Sequence, residues 1–299
     1  MNSEEINHFP VLKEEIVRIV KEKSSDKGKV VFIDCTLGLG GHSAAIIPVL
    51  FGKLSRVFLI DKDRESLEIA ANFLKQNISF GDRIKVDFVN TLFGQFFENF
   101  PNVGEDEFLI VLADLGISYY QLKYGVGFGF TKESFLDMRY DKEGDITAFD
   151  VINYFDYEQL VDIFFRVFEN IGFAKKLASV IVEERKRKEI RTTFDLNKTV
   201  SKYVSAKILK DTLQKLYLSL RIYVNRELEE LEKLLNFFKK VPNRFLLLII
   251  SYHSLEGKII KRFYKELATS VKVKKIKPSK EEILANKPSR SAILWVIEK

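Results

Sequence analysis

Short apolar runs alternate with longer segments of helical periodicity between about residue 29 and residue 116. The runs KVVFIDCT, RVFLIDKD, RIKVDFVN and FLIVLADLG predict strands, and GGHSAAIIPVLF and ESLEIAANFLKQN predict helices between them. Strands that alternate with helices are typical of a doubly wound parallel sheet. This part of the chain is therefore predicted to form a Rossmann-like α/β fold.

The alternation stops after this region, and a helical block follows. Residues 119–140 are rich in glycine and aromatic residues, and residues 147–239 show helical spacing almost throughout. Strand patterns return only at RFLLLIISYHS and SAILWVIEK. We therefore predict one α/β domain in two pieces, residues 1–118 and 219–299, interrupted by an inserted all-helical domain over residues 119–218.

Composition narrows the class of protein and its compartment. Hydrophobic residues make up 46% and charged residues 30% of the chain, as in soluble globular proteins, and the apolar runs are too short to span a bilayer. The first residues lack the pattern of a signal peptide, and the single cysteine excludes an internal disulfide framework. We expect a cytoplasmic protein without a membrane partner, whose net charge of +6 permits a nucleic-acid partner.

The segment DCTLGLGGHS, residues 34–43, follows the first predicted strand and forms a glycine-rich turn that can present backbone N–H groups to a ligand. The dinucleotide fingerprint needs glycine where Ser43 stands, and the Gly-Lys-Ser/Thr of a P-loop is absent. An acid ahead of the turn favours S-adenosylmethionine, which is cationic, over a pyrophosphate. Asp61, at the end of the second predicted strand, has the offset of a carboxylate that binds ribose hydroxyls. A dehydrogenase-type dinucleotide enzyme is the alternative.

Asp114 ends the fourth predicted strand, at the edge where open α/β sheets bind ligands. The exocyclic amine of a base is a poor nucleophile because its lone pair is delocalised into the ring. A carboxylate and the carbonyl of Leu115 could hold both N–H groups and raise that lone pair toward a methyl donor. Asp114 is therefore predicted to orient or deprotonate a target amine, or otherwise to cap the following turn. Tyr119 and Tyr120 could stack on a flipped-out base or belong to ordinary packing.

Motifs along nearly the whole chain occur in the order of one known family. They are HFPVL at 8–12, DCTLGLGGHS, DLGIS-YYQL, GFGF, LDMRYD at 136–141, SLRIYVNREL at 219–228, SYHSLEGKIIK at 251–261 and NKPSRSAIL at 286–294. Together they resemble the MraW family, the bacterial 16S ribosomal RNA cytosine-N4 methyltransferases. The resemblance implies S-adenosylmethionine as cofactor, a cytidine in the decoding centre of the small ribosomal subunit as target, and the inserted domain as the substrate-recognition module.

The cofactor contacts of that family fall on residues that this chain retains. They are Gly40, Gly41, His42, Asp61, Phe93, Asp114 and Gln121, and Gly38 belongs to the same glycine turn. By the resemblance, His42 would lie beside the methionine part of the donor and Phe93 would pack against its adenine. The alternative for His42 is a polar residue at the start of a helix, and the alternative for Phe93 is an aromatic residue of the core.

A further group of polar residues lies within otherwise apolar motifs and is predicted to contact the RNA. It comprises Asp137, Arg139, Arg221, Asn225, His253, Ser254, Glu256, Arg290 and Ser291. The alternative is an ion-pair network between the insert and the sheet, in which Arg139 or Arg221 pairs with Glu256 or Asp137. Because HSLE follows a strand end directly, its side chains should face the same edge as Asp114. The three histidines of the chain are scattered, so no metal site is predicted.

The chain departs from the family's pattern on the RNA side that the resemblance implies, at Val126, Leu218, Gly257 and Lys258. The lysines of VKVKKIKPSK are interpreted as a solvated surface in preference to a phosphate track. Two further alternatives stay open, a donor-binding protein of this fold that acts on another RNA or a protein, and a non-catalytic RNA-binding or ribosome-assembly protein. The sequence also leaves a monomer and a homodimer open.

Overall fold

The computed structural model describes residues 10–81, 84–101, 103–144, 146–267 and 270–299. His8 and Phe9 of the HFPVL motif and the side chain of Tyr119 lie outside the described residues. The chain divides into two compact units, the first formed by the residues up to Gly116 with Leu228–Lys299, and the second by Ile117–Glu227. No helix in the described ranges is long and apolar enough to cross a membrane.

One mixed sheet forms the centre of the first unit, and the described residues give it seven strands. They are β1 (Lys29–Asp34), β2 (Leu54–Asp61), β3 (Lys85–Asn90), β4 (Glu107–Asp114), β5 (Phe245–Ser251), β6 (Lys272–Ile276) and β7 (Ile293–Glu298). The order across the sheet is β3-β2-β1-β4-β5-β7-β6. Strands β1 to β5 pair in parallel, so their carboxyl ends lie at one edge of the sheet. The predicted Rossmann-like α/β class is confirmed.

The last two strands depart from the parallel pairing that the alternation of strands and helices predicts for the first part of the chain. Strand β7 runs antiparallel to both β5 and β6. Strand β7 follows β6 through residues 277–292, which contain two short helical segments, and it runs in the opposite direction. The period-2 pattern of a strand carries no information on its direction, so the residues of β7 alone could not show this.

Strand β6 is missing from the sequence prediction, which takes its lysines for solvated surface. In β6 only Val273 and Ile276 pack against the apolar core. They lie three residues apart, so the sequence does not show the alternation of every second residue that marks a strand. The ammonium group of Lys275 lies 4.6 Å from the ring centroid of Trp295, so its aliphatic stem covers β7. Lysines are common on edge strands because they oppose pairing with another chain.

The helices are numbered along the whole chain. They are α1 (Lys13–Lys23), α2 (Gly41–Leu50), α3 (Arg64–Asn77), α4 (Phe93–Glu98), α5 (Tyr119–Tyr124), α6 (Ala148–Tyr154), α7 (Tyr157–Phe168), α8 (Ile171–Arg185), α9 (Thr193–Ser201), α10 (Ala206–Val224), α11 (Glu227–Lys240), α12 (Ser254–Glu266) and α13 (Lys280–Ala285), followed by a 3₁₀-helix over Lys287–Ser291. Helices α5 to α10 belong to the second unit, so the predicted all-helical insert is confirmed as to its class.

Two apolar layers cover the faces of the sheet. Val30 and Phe32 of β1 pack with α1, α2 and α3, while Val31 and Ile33 pack on the opposite face with α4, α11 and α12. Both faces of the central strands are buried, and this explains their unbroken apolar runs. The second unit has a core of its own, which is built by its helices and includes Phe164.

Two predicted long helices are each divided in the structure. The segment FDLNKTVSKYVSAKILK forms most of α9 and the start of α10, with Ser205 at the N-cap between them. The following segment is divided between α10 and α11 at Arg226, whose φ of 53° lies in the left-handed region that a right-handed helix excludes. Helix α10 continues past residue 218, where the insert was predicted to end, and reaches Val224. The second compact unit extends to Glu227.

Candidate active site at the carboxyl edge of the sheet

A buried carboxylate, Asp34, links the end of β1 to the first turn of α2. Its Oδ2 accepts a hydrogen bond of 2.5 Å from the Ser43 hydroxyl, and its Oδ1 accepts one of 3.2 Å from the Thr36 N–H. Burial raises the pKa of Asp34, and the bond from Ser43 opposes that rise. Asp34 is 1% exposed, so this acid shapes the glycine loop from within and does not face a ligand as the sequence suggested.

We expect Ser43→Ala to lower the free energy of unfolding by about 1–3 kcal/mol, because it removes a donor from a buried carboxylate. Urea unfolding of the purified protein measures this difference. Ser25→Ala is the matched control, because the Ser25 hydroxyl is exposed and its bond goes to the local Glu22 carbonyl at 2.7 Å. Equal losses for the two variants would contradict a supporting role for the buried pair.

The glycine loop has one closed and one open side. Gly38 and Gly40 have φ angles of +53° and +85°, which glycine adopts without steric cost. A Cβ on Gly41 would lie 2.6 Å from Cγ of Pro10, so the chain before α1 closes the loop at that point. Around Gly38 no described atom lies within 4 Å of the place where a Cβ would stand. The backbone at Gly38 is therefore accessible to a ligand.

Asp61 joins the end of β2 to this loop. Its Oδ2 accepts a hydrogen bond of 2.7 Å from the Gly38 N–H, and its Oδ1 accepts one of 2.8 Å from the Asp63 N–H. Burial raises the pKa of Asp61 to about 7, and these two bonds limit the rise. Each carboxylate oxygen can accept a second hydrogen bond, so Asp61 retains capacity for ribose hydroxyls. Asp63 itself caps α3 through its side chain.

His42 stands in the first turn of α2 and faces Asp114. Its Nε2 lies 2.9 Å from the carbonyl oxygen of Val11, which can only accept, so Nε2 carries the proton. The other ring nitrogen, Nδ1, lies 3.8 Å from Oδ2 of Asp114. Burial lowers the pKa of His42, and the ring is therefore neutral near pH 7. His42 thus presents an unprotonated nitrogen to Asp114.

Asp114 occupies the end of β4, beside the end of β1. Its N–H donates to the Thr36 hydroxyl at 2.7 Å, and its Oδ1 accepts a hydrogen bond of 2.7 Å from the hydroxyl of Tyr252. Burial raises the pKa of Asp114 to about 7; the bond from Tyr252 lowers it, and the nearby Glu256 carboxylate raises it. The side chain is 25% exposed. Asp114 is therefore a partly accessible carboxyl poised between its two protonation states at neutral pH.

The HSLE segment follows β5 and reaches the same edge of the sheet. Its Glu256 is 2% exposed and accepts hydrogen bonds from the N–H groups of Tyr252 at 2.8 Å and His253 at 3.2 Å. His253 caps α12 through Nδ1, which accepts from the Glu256 N–H at 3.4 Å. Ser254 is exposed at the first position of α12. The capping box holds Tyr252 at the end of β5, next to Asp114.

A family model described as the MraW methylase family matches residues 5–299. The chain belongs to the MraW methylase family. A relative named ribosomal RNA small subunit methyltransferase H, from Borrelia turicatae (strain 91E135), is 38% identical over 98% of this chain and 98% of its own. A relative of the same name from Hydrogenobaculum sp. (strain Y04AAS1) is 41% identical over 88% of each chain. The resemblance seen in the motifs is confirmed, and the methyl donor of this methylase is S-adenosylmethionine.

The other predicted cofactor contacts of the methylase lie in both units. Phe93 begins α4 and packs, partly buried, against the core layer that contains α11 and α12. Gln121 belongs to the second unit and forms a capping box with Ser118, whose N–H donates to Oε1 of Gln121 at 3.1 Å. In the same short helix the Tyr120 ring packs 4.9 Å from the ring of Tyr124, centroid to centroid. The roles of Phe93 and Gln121 toward the donor stay predictions.

Most of the polar residues predicted to contact RNA from the second unit are engaged inside that unit. Nε and Nη2 of Arg139 donate to the two carboxylate oxygens of Asp137 at 2.7 and 3.1 Å. Asn225 accepts from the Tyr140 N–H at 2.8 Å and donates to the Met138 carbonyl at 2.7 Å. The LDMRY loop is therefore fastened to the end of α10. The Arg139–Asp137 pair is one that the ion-pair alternative named, but both of its members belong to the second unit.

Arg221 pairs with an acid that the sequence analysis did not name. Its Nε and Nη2 donate to the carboxylate of Glu227 at 2.9 and 3.1 Å, and the Tyr140 hydroxyl adds a bond of 2.8 Å. Arg290 and Ser291, in the 3₁₀-helix of the first unit, are exposed. Exposure leaves these two residues accessible to a large partner.

Sequence reasoning missed two residues next to Asp114. Thr36 stands within the glycine segment, and Tyr252 within the quoted SYHSLE motif, yet no pattern marks either side chain as a partner of Asp114. Each contact joins neighbouring parallel strands that are far apart in sequence. The available signal was indirect, since both residues directly follow strands that were predicted to end at the same edge.

Proposed function

We propose that this methylase transfers a methyl group to the N4 amine of a cytidine in 16S ribosomal RNA, in the decoding centre of the small subunit, in the cytoplasm. The observation that carries the proposal is Asp114, a partly accessible carboxyl at the end of β4 with a pKa raised to about 7. Relatives named ribosomal RNA small subunit methyltransferase H support the class of RNA. The motif resemblance supplies the cytosine-N4 chemistry.

The glycine loop and the end of β2 fit the donor, because they combine an accessible backbone at Gly38 with a carboxylate at Asp61. S-adenosylmethionine, when bound, supplies an electrophilic methyl group on a sulfonium. The residues proposed to hold it are Gly38, Gly40, Gly41, His42, Asp61, Phe93, Asp114 and Gln121. Asp61 would accept hydrogen bonds from the ribose, and Phe93 would pack against the adenine.

Asp114 would act on the target amine through its second carboxylate oxygen. Tyr252 already donates to Oδ1 at 2.7 Å, so Oδ2 is the better oriented acceptor for an amine N–H. With the Leu115 carbonyl as the second acceptor, both N–H groups would be held and the nitrogen lone pair directed away from the ring plane. As the new C–N bond forms, the bond between the methyl carbon and sulfur would break and S-adenosylhomocysteine would leave. The amine would then release one proton, which an ionised Oδ2 could accept.

The inserted second unit and the exposed polar residues of the first unit are proposed to bind RNA. Ser254, Arg290 and Ser291 are exposed, and such side chains can contact phosphate or ribose groups. Asp137, Arg139, Arg221 and Asn225 would act differently, by fixing the shape of the second unit through the pairs described above. His253 and Glu256 would support the nucleotide pocket through the cap of α12.

The test is methyl transfer from isotopically labelled S-adenosylmethionine to small ribosomal subunits that lack the modification. Free 16S RNA is assayed in parallel, and nucleoside products are mapped by mass spectrometry. N4-methylcytidine at one site is the expected product. Label on a different nucleotide would contradict the target, and S-adenosylhomocysteine binding without any transfer would favour a binding or assembly role.

We expect methyl transfer to fall as the pH drops below about 7, because Asp114 must be ionised to accept from the amine. The rate constant under saturating donor and RNA should then lose about tenfold per pH unit. Asp61 also has a pKa raised to about 7, so its protonation is expected to weaken donor affinity over the same range. Separate titrations of S-adenosylhomocysteine affinity and single-turnover rate distinguish the two carboxyls. A rate that stays constant down to pH 5.5 would contradict a role for ionised Asp114.

A further inference from the structure

Tyr252 links the end of β4 to the segment that precedes HSLE, yet none of the predicted roles includes it. Its hydroxyl donates to Oδ1 of Asp114 at 2.7 Å. Burial and the adjacent Asp114 carboxylate raise the pKa of Tyr252 far above its usual value. The hydroxyl therefore keeps its proton at every physiological pH and acts toward Asp114 only as a donor.

The positions of both partners are fixed by their backbones. The Tyr252 N–H donates to buried Glu256 at 2.8 Å, and the Asp114 N–H donates to the Thr36 hydroxyl at 2.7 Å. The residue after Asp114 is also held, since the Leu115 N–H donates to the Ile250 carbonyl at 3.0 Å. The phenol and the carboxyl thus meet with little freedom on either side.

We propose that Tyr252 is a positioning residue for methyl transfer, whose hydroxyl holds Oδ1 of Asp114 so that Oδ2 is the oxygen offered to the target amine. The proposal rests on the proposed function of Asp114. Tyr252 has two effects on the Asp114 carboxyl: it fixes the orientation of the carboxyl, and it favours the ionised form. A carboxylate accepts the phenol hydrogen bond more strongly than a neutral carboxylic acid does.

The charged and titratable groups around Asp114 act in opposite directions. Glu256, from α12, raises the pKa of Asp114, and Asp34, from β1, interacts with it as a second negative charge when ionised. His42, from α2, is neutral near pH 7 and faces Oδ2 with its unprotonated nitrogen. Tyr252 is the donor that lowers the pKa of Asp114. Its removal should therefore raise that pKa further.

The test compares Tyr252→Phe with the wild type and with Tyr264→Phe. Tyr264 lies on α12 against Trp295, with ring centroids 6.1 Å apart, so its variant is a matched control for loss of a phenol hydroxyl in the same unit. Single-turnover methyl transfer to small ribosomal subunits is measured between pH 5.5 and 9.5. For Tyr252→Phe we expect the acid limb to move up by about one pH unit, which lowers the rate about tenfold at pH 6.5 and much less at pH 9.

A second measurement does not depend on activity. The carboxyl carbon of Asp114 is followed by ¹³C NMR during a pH titration, with its resonance assigned from Asp114→Asn. The pKa of Asp114 should rise in Tyr252→Phe and stay unchanged in Tyr264→Phe, while S-adenosylhomocysteine affinity at pH 9 stays within about threefold of the wild type.

The outcomes separate the two proposals. Superimposable pH profiles and NMR titrations for Tyr252→Phe and the wild type would overturn the positioning role, as would an equal rate loss at every pH. If the wild type transfers no methyl group to ribosomal RNA, the proposed function fails. In that case an unchanged NMR titration in Tyr252→Phe overturns the positioning proposal, and a raised pKa supports its electrostatic part.

Discussion

Asp114→Asn is expected to lower the rate of methyl transfer by about 10²–10⁴-fold, the usual loss when a positioned acid–base group is removed. The asparagine keeps an oxygen for the Tyr252 hydroxyl, but it puts an amide N–H₂ or a weaker acceptor where the amine needs a carboxylate. Single-turnover assays with labelled donor measure the loss, and S-adenosylhomocysteine affinity checks that the loop remains formed. Activity within threefold of the wild type would rule out Asp114 as the group that holds the amine.

The same variant is expected to be more stable than the wild type at pH 8. Burial raises the pKa of Asp114 in the folded protein to about 7, against 3.8 in the unfolded chain, so the folded state gains from protonation. That gain is present below pH 3.8 and is lost as the pH rises to 7. Asparagine avoids the buried charge, and since the side chain is 25% exposed we expect only about 1–2 kcal/mol of added stability. Asp211→Asn, at an exposed position of α10, is the control for urea unfolding at pH 8 and pH 5.

Gly40→Ala is expected to lower stability by about 2–4 kcal/mol and to weaken S-adenosylhomocysteine binding by at least about tenfold. Alanine at φ +85° is strained, and its Cβ would lie 3.3 Å from Cγ of Leu74 on α3, so either the Leu74 side chain or the loop must shift by a few tenths of an ångström. Gly52→Ala is the matched control, since Gly52 has the same φ of +85° with no described atom within 4 Å. Calorimetric titration and urea unfolding of both variants separate the backbone strain from the contact.

A Gly40→Ala protein that loses no more stability than Gly52→Ala would show that Leu74 yields to the methyl group. Unchanged affinity for S-adenosylhomocysteine would place the donor away from this turn. The two readouts therefore test the packing of the loop and its role in binding separately.

The end of each central strand could be predicted because both faces of the sheet are buried and the apolar runs stop where the strands stop. Asp61 and Asp114 were found in this way, and the structure places them at the ends of β2 and β4. Asp34 shows the limit of the same reasoning. It also ends a strand, but the Ser43 hydroxyl and burial turn it inward, and that depends on where α2 packs.

Other features depend on contacts that a linear pattern does not contain. Arg226 separates α10 from α11 by its left-handed backbone. It is neither glycine nor proline, so its residue type does not mark the break. Strand β6 is paired through β7 and has too few apolar residues to show a period. The bonds from Thr36 and Tyr252 to Asp114 arise because β1, β4 and β5 are neighbours in the sheet, although long stretches of chain separate them.

Strands β4 and β5 are hydrogen-bonded neighbours, although the second unit and α11 lie between them in the chain. A ribosome that synthesises this protein releases β1 to β4 well before the strand that must pair with β4 exists. Until β5 arrives, β4 has one unpaired side of backbone groups, and closing so long a loop is slow. The segment that carries Tyr252 and the HSLE residues emerges later still. Prematurely terminated chains that end before residue 245 would therefore expose an apolar strand and depend on chaperones, and they could not form the site around Asp114.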